Sequence, residues 1–389
     1  MQLRRPHVLL VERRDAPAFS LASLLAGGDG VVRESRWLAL APHLDAEVEV
    51  SLAELAVLEA VPAEGSVAEA ELGARFGAGT VARLLAEGLL LGEGEAHAAA
   101  RARDQRLRET AWWAPAAVVQ GFGRWDGVDV SGEEARRGPR TLAGLIAANG
   151  PPPPAAASLC EAHERLPLPP PAISALDELL GARATCRNFD PDATLPARDL
   201  ATLLQRVFGA QGSEEPEPGV PMLKKHSPSG GGLHPVEAYL LLQRVEGVEP
   251  GLYHYHATAH ALEPLRTLSR EAAATHAREL VAGQDWFANA PALVLMAARF
   301  QRNFWKYRQH PKSWKVVQLD AGHLSQTWQL SATELGHGAF ITAAINDRCA
   351  ERLFGLDGLA EGAIAVCGAG PRAAQRGHFE FDPRGRVPR

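Results

Sequence analysis

The sequence predicts an α+β protein in two units, and three observations carry that prediction. From Ile173 onward, apolar β-prone runs alternate irregularly with amphipathic helical patterns, the arrangement of helices packed on a central sheet. A glycine loop, Ser227–Pro235 (Ser-Pro-Ser-Gly-Gly-Gly-Leu-His-Pro), feeds directly into the apolar run Val236–Val245. A proline-rich connection, Pro151–Pro154 and Pro167–Pro171, precedes this half of the chain. We therefore divide the chain into residues 1–150, a connection over 151–175, and residues 176–389. A length of 389 residues is ample for two cores.

Bulk properties narrow the function. The formal charge of −6 offers nothing to attract nucleic acid or an anionic membrane. Cys160, Cys186, Cys349 and Cys367 are scattered without Cys-x-x-Cys spacing, which argues against a zinc site or a disulfide framework and suits a reducing compartment. The apolar run before Glu12 is too short for a signal peptide, and no run approaches the roughly 18 apolar residues of a membrane span. The expectation is a soluble cytoplasmic protein.

In order along the chain, alternation in Arg36–Leu40 and Ala46–Val50 predicts strands. Ser51 and Glu54 form a capping box that opens a helix with Leu52, Leu55 and Leu58 inward. Ser66–Phe76 and Thr80–Glu87 read as two more short helices, followed by the apolar edge Leu89–Leu91. Three short helices and a β-edge make a winged-helix-like pattern. DNA binding is disfavoured, because residues 51–95 carry two basic residues (Arg75, Arg83) against eight glutamates. A peptide-binding or structural module fits this charge better. Ala96–Arg108 has helical character, and Trp112, Trp113 and Trp125 are candidate buried anchors.

In the second unit, Ile173–Leu180 is a short helix. Pro196 opens a helix with Leu200, Leu203, Leu204, Val207 and Phe208 on one face. Val236–Val245, Leu252–His256, Ala292–Ala298 and Gly362–Cys367 are strands. Ser313–Leu335 is a long helix burying Val316, Val317, Leu319, Leu324 and Trp328, and Asp347–Phe354 is a further helix.

Four motifs carry the chemistry. In Arg183-x-Thr185-x-Arg187, alternate residues of an extended backbone share one face, so two guanidiniums and a hydroxyl converge as a phosphate would require. The glycine loop brings backbone close to a flat or anionic ligand, with Pro228 and Pro235 stiffening it. Lys306-Tyr307-Arg308 follows a core strand, and Asp320-Ala-Gly-His323 with Gln326 lies on the long helix. Gly368-Ala-Gly370-Pro-Arg mimics a dinucleotide fingerprint, but Pro371 interrupts it and no βαβ unit follows.

In this order the motifs resemble the SagB-type, nitroreductase-like flavin-dependent dehydrogenases, closest to a peptide-maturation dehydrogenase branch. The resemblance runs from about Leu176 to Arg372 and includes Gly251-Leu-Tyr-x-Tyr255. It implies a nitroreductase-like catalytic domain behind a winged-helix-like amino-terminal domain, and FMN as cofactor. Arg183, Thr185 and Arg187 would hold the phosphate and ribityl chain, with Pro228, Ser229, Gly230 and Gly231 against the flavin. Gln326 belongs to the helix motif, Gly336 and Gly338 would approach the ring, and Arg372 is a further phosphate candidate. Lys306 or Tyr307 would transfer the proton while hydride leaves a peptide-derived substrate such as an azoline. A precursor peptide, a cyclodehydratase as candidate partner and a homodimer with flavin at its interface complete what the resemblance implies.

Departures from the family pattern are Thr185 for serine, His234 at a commonly aromatic position, and Lys312-Ser-Trp-Lys315 in place of Arg-Gly-Tyr-Arg. Two alternatives stay open: an NAD(P)H-dependent flavin reductase acting on nitro, quinone or dehydroamino-acid substrates, and a catalytically silent peptide-binding protein.

Overall fold

The computed structural model describes residues 1–138, 141–383 and 385–387. The amino-terminal half begins with β1 (Gln2–Arg4), β2 (Leu10–Phe19), α1 (Leu21–Leu25), β3 (Val31–Leu40) and β4 (Val48–Val50). It continues through α2 (Leu52–Ala60), β5 (Val67–Ala68), α3 (Glu69–Phe76), α4 (Ala78–Ala86) and β6 (Leu91–Gly92). Strands β5-β1-β6 form one antiparallel sheet and β2-β3-β4 another. Both bonds of the capping box are made: Ser51 Oγ accepts from Glu54 N, and a Glu54 carboxylate oxygen accepts from Ser51 N at 2.8 Å. Leu3, Val57, Leu58, Leu72, Leu84 and Leu89 close the core of this half. Leu52 does not join it. It occupies the first turn on the outer side of α2 and is exposed, and Val57 takes the inward place.

Helices α5 (Ala98–Thr110), α6 (Ala114–Phe122) and α7 (Val130–Arg137) lead onto the second half. Trp112 is the main anchor. Its ring packs against Phe300 and Phe304 at centroid distances of 4.6 and 4.7 Å, and Nε1 donates to Leu359 O at 2.8 Å. Trp112→Ala should lower the urea-unfolding free energy by about 3–5 kcal/mol, since it opens a cavity and orphans a carbonyl. A change below about 1 kcal/mol would show that the junction adds little. Trp125 was expected to be buried, yet its indole is exposed. It contributes backbone instead: its N–H donates to Asp347 and its carbonyl accepts from Arg348 N. Nearby, Arg124 and Glu351 form a buried ion pair at 2.8 Å.

Burial pushes the Asp347 carboxyl up to about 6, despite the Trp125 N–H bond. The folded chain therefore holds a proton there that the unfolded chain has released. This contribution is complete below the unfolded value and disappears as pH rises through about 6. Stability to urea should decline between about pH 4 and pH 6, and the decline should be shallower in Asp347→Asn. Equal slopes in the two proteins would remove Asp347 as the source.

Helix α8 (Leu142–Asn149) closes the first 150 residues, and the connection after it is exposed and largely irregular up to α9 (Ala175–Ala182). Then follow α10 (Ala197–Val207), the small ribbon β7 (Gly212–Glu214) and β8 (Met222–Lys224), β9 (Val236–Leu242), β10 (Gly251–His256) and β11 (Ala261–Thr267). Helices α11 (Arg270–Leu280) and α12 (Asp285–Ala288) precede β12 (Ala292–Arg299), α13 (Phe300–Phe304) and α14 (Ser313–Glu334). The last elements are β13 (Gly338–Thr342), α15 (Asp347–Phe354) and β14 (Glu361–Gly370).

A six-stranded antiparallel sheet, ordered β11-β10-β9-β12-β14-β13, is the platform. Both of its faces are covered, which is why β9 and β12 read as continuous apolar runs. Val236, Ala238, Leu240 and Leu242 pack on the side of α10 and α14, whereas Leu241 packs on the side of α11 and α15. Along α14, Val317, Leu324 and Trp328 are buried as expected, Val316 is half-buried, and Leu319 is exposed on the outer stripe. Trp328 Nε1 donates to Gly368 O at 3.0 Å and fixes the helix to the sheet.

Candidate active site

The loop after β8 folds as one 3-10 turn, Gly230–Gly232, with Gly231 at φ +67°. Its anchor is Asp320 on α14. Ser229 Oγ donates to Asp320 Oδ2 at 2.5 Å, and Gly230 N donates to Oδ1 at 3.2 Å. Ser229 Oγ also accepts from His234 N at 2.9 Å, so a single hydroxyl ties the two ends of the turn. Burial raises the Asp320 carboxyl above its ordinary range, partly offset by the two bonds it accepts. His234 has φ +46°, and burial together with the Lys225 charge lowers its imidazole to about 4, so it is neutral at pH 7.

The glycines here are required by close approach. A Cβ on Gly230 would clash with Val316 Cγ1. A Cβ on Gly231 would stand 2.8 Å from Tyr307 Oη and 3.0 Å from Lys306 Nζ. The structure thus brings the Lys-Tyr pair onto the glycine loop. Lys306 is exposed and Tyr307 half-buried, and both backbone N–H groups donate to Asn303 O.

The arginine motif alternates as its spacing requires. Ala184, Cys186 and Asn188 point inward, leaving Arg183, Thr185 and Arg187 half-buried on the other face. Thr185 bridges Ala339 in parallel, extending the sheet at the β13 edge, and Cys186 N donates to Ala339 O at 2.8 Å. Arg183 Nη1 donates to Gln329 Oε1 at 3.0 Å, and the Arg187 guanidinium lies over the Phe287 ring, 5.9 Å from its centroid. Burial pushes the Cys186 thiol up to about 12, so it is no nucleophile.

Arg372 is committed elsewhere: Nη1 donates to Glu380 at 2.8 Å and Nη2 to Ala184 O at 3.2 Å. Burial raises the Glu380 carboxyl, but bonds from Arg187 N and Asn188 and the Arg372 charge outweigh it and hold it low. Gly338 lets β13 approach this strand, since a Cβ there would meet Cys186 Sγ at 2.5 Å. Gly336, at φ +80°, ends α14, where His337 N closes back on Ala332 O at 2.8 Å. Gln326 is exposed on α14.

The glycine loop and the arginine strand therefore meet α14 at different places. Asp320 and Gln329 are nine positions apart, about 13.5 Å along the axis and about half a turn round it. They flank opposite edges of the buried stripe. Asp320 was legible as a motif residue but not as the loop's anchor, and Gln329 and Glu380 carried no sequence signal at all.

Residues 180–370 match the model of the nitroreductase family. MJ1384 of Methanocaldococcus jannaschii, a protein assigned by name to the nitroreductases, is 31% identical over 173 residues, which are 44% of this chain and 80% of that one. The chain belongs to the nitroreductase family. The chain is also similar to the trifolitoxin-processing protein TfxB of Rhizobium leguminosarum bv. trifolii, 30% identical over 145 residues, 37% of this chain. The microcin B17-processing protein McbC of Escherichia coli is 27% identical over 175 residues, 44% of this chain. This nitroreductase-family chain spans 39% of TfxB and 60% of McbC. Among its described residues, no helix is long and apolar enough to cross a membrane.

Proposed function

We propose that the chain is an FMN-dependent oxidoreductase that matures a ribosomally made peptide, taking a hydride from a substrate such as an azoline. The observation that carries this reading is the placement of Lys306 Nζ and Tyr307 Oη directly over Gly231, in a loop that Asp320 holds rigid. Similarity to the trifolitoxin-processing TfxB and the microcin B17-processing McbC supports the substrate class. The donors suit FMN: Arg183, Thr185 and Arg187 match a phosphate and ribityl hydroxyls, and the backbone of Pro228–Gly231 is read as the surface the flavin lies against. The chemistry FMN supplies when bound is acceptance of a hydride from a substrate C–H. The chain's own part is to take the accompanying proton, at Lys306 Nζ as the neutral amine or at Tyr307 Oη as the phenolate, and to hold the reacting carbon over the turn.

The half turn between Asp320 and Gln329 supports a homodimer. On this reading the loop and the arginine strand attach to opposite edges of the buried stripe of α14, and a site using both is completed by a second copy. We read the amino-terminal helices α2, α3 and α4 with their sheet as a winged-helix-like module that engages the precursor, and a cyclodehydratase as the partner that makes the azoline. The domain limits 1–150, 151–175 and 176–389 and a cytoplasmic location belong to the same reading.

Purified protein should show a flavin spectrum with FMN, and an azoline peptide should lose two hydrogens per ring by mass spectrometry. Protein that stays colourless in excess FMN would overturn the reading. The similarity to MJ1384 favours a second reading, reduction of small acceptors by NAD(P)H, which predicts rapid bleaching of the flavin by NADPH alone.

A further inference from the structure

Between Asp285 and Asp320 the chain carries no acidic residue, yet it carries six cations: Arg299, Arg302, Lys306, Arg308, Lys312 and Lys315. This run of +6 stands in a chain whose formal charge is −6. Arg299 pairs with Glu237 at 2.8 Å, and Arg302 donates to Leu233 O and Pro221 O, both at 3.2 Å. Lys306 is assigned above to the proton transfer. Arg308, Lys312 and Lys315 are left without a role. All three are exposed, and none has an ion-pair partner among the described residues.

These three cations lie on the rim of the glycine loop. The chain leaves the loop at Lys306 and Tyr307, whose Nζ and Oη approach Gly231, and returns to it at Val316, which packs against Gly230. Arg308, Lys312 and Lys315 belong to the arch in between. Asn303, fully buried, ties its two feet together. The Asn303 carbonyl accepts from Lys306 N and Tyr307 N at 3.3 and 3.2 Å, and Nδ2 donates to Ser313 O at 2.9 Å. Within the arch, Gln309 N donates to Ala111 O at 3.0 Å, and Ser313 Oγ donates to His310 O at 2.7 Å. Trp314 packs on Trp112 and Phe300 at centroid distances of 5.9 and 5.8 Å. The arch is a fixed scaffold, and its cations face outward.

Their charge does not serve the helix they precede. Lys312 caps α14 without a side-chain hydrogen bond, and Lys315 stands in its first turn, where positive charge opposes the helix dipole. Carboxylates on adjoining elements are engaged elsewhere: Glu109 pairs with Arg106, and Glu215 accepts from Gly219 N. Unpaired positive charge beside the groups that meet the substrate complements a substrate with negative charge beside its reacting group. Two of the three cations are lysines, point charges spaced along the arch rather than a convergent fork. That spacing suits carboxylates strung along a chain better than one compact phosphate.

We propose that Arg308, Lys312 and Lys315 bind carboxylates flanking the reacting ring, so that the preferred substrate is a peptide with Asp or Glu beside that ring. This rests on the peptide-maturation reading above, and the test separates the two. The full chain, with FMN added, is titrated by isothermal calorimetry at low salt with capped peptides in which glutamates or glutamines flank a thiazole. The glutamate peptide should bind about tenfold or more tightly than the glutamine peptide, and high salt should remove the difference. The double variant Lys312→Glu/Lys315→Glu should invert the preference and hold a lysine-flanked peptide more tightly than the glutamate one. Its melting temperature should not fall, because glutamates suit a helix start.

Equal affinity of the wild type for glutamate and glutamine peptides would overturn the proposal, as would a double variant that keeps the glutamate preference. Displacement of the glutamate peptide by NADPH but not by NADH would also overturn it, because the arch would then hold a nucleotide phosphate. If thiazoline peptides are oxidised equally well with either flank, the arch proposal fails and the enzyme reading stands. If the glutamate preference and its inversion occur in protein that takes up no FMN, the arch proposal stands and the enzyme reading fails.

Discussion

Lys306→Ala is expected to lower turnover of an azoline peptide by about two to four orders of magnitude, the range of a lost proton-transfer group. Tyr307→Phe is expected to act in the same range if Oη rather than Nζ takes the proton, so the larger loss identifies the acceptor. The expectation rests on geometry: both polar atoms lie within 3.0 Å of the point where a Gly231 Cβ would stand. A substrate carbon lying on the turn is then within reach of either. Flavin absorbance should be retained in both variants, because neither side chain supports the loop itself, which hangs from Asp320. Single-turnover mass spectrometry gives the rate. Full activity in both variants would remove the pair from the chemistry.

The second large effect is expected at Asp320, through structure. Asp320→Ala leaves the Ser229 hydroxyl and the Gly230 N–H without their acceptor in a partly buried place, which should cost about 2–4 kcal/mol. Asp320→Asn keeps one acceptor oxygen and should fall between Ala and wild type. Thermal melts with and without FMN separate the two consequences. The apo protein should melt lower, and the extra stabilisation on adding FMN should shrink because the turn is no longer preset. An unchanged melt in Asp320→Ala would mean that the turn holds its shape without this carboxylate.

How much of this was legible in the sequence depended on range. Local periodicity was reliable. The alternation of Arg183, Thr185 and Arg187 against Ala184 and Cys186, the face Leu200–Leu203–Leu204–Val207 of α10, and the Ser51–Glu54 capping box all stand where the spacing placed them. Long-range pairing was not legible. Ser229 and Asp320 are separated by 91 residues, and Arg183 and Gln329 by 146, and no local pattern links either pair. Glu380 illustrates the same limit. Four donors from residues 187, 188 and 372 converge on it, from a tail whose sequence reads as an irregular polar end. Leu319 and Trp125 misled because hydrophobicity alone does not say which stripe of a helix, or which loop, faces inward.

The half turn that separates Asp320 from Gln329 has a genetic consequence. On the split-site reading, a lesion at Lys306 and a lesion at Arg183 damage opposite halves of the same catalytic unit. Two inactive chains, one carrying each lesion, then pair to give one doubly broken centre and one that is whole. Coexpression should rescue activity to a fraction of wild type, whereas two lesions on the same edge, Lys306 and Tyr307, should never complement.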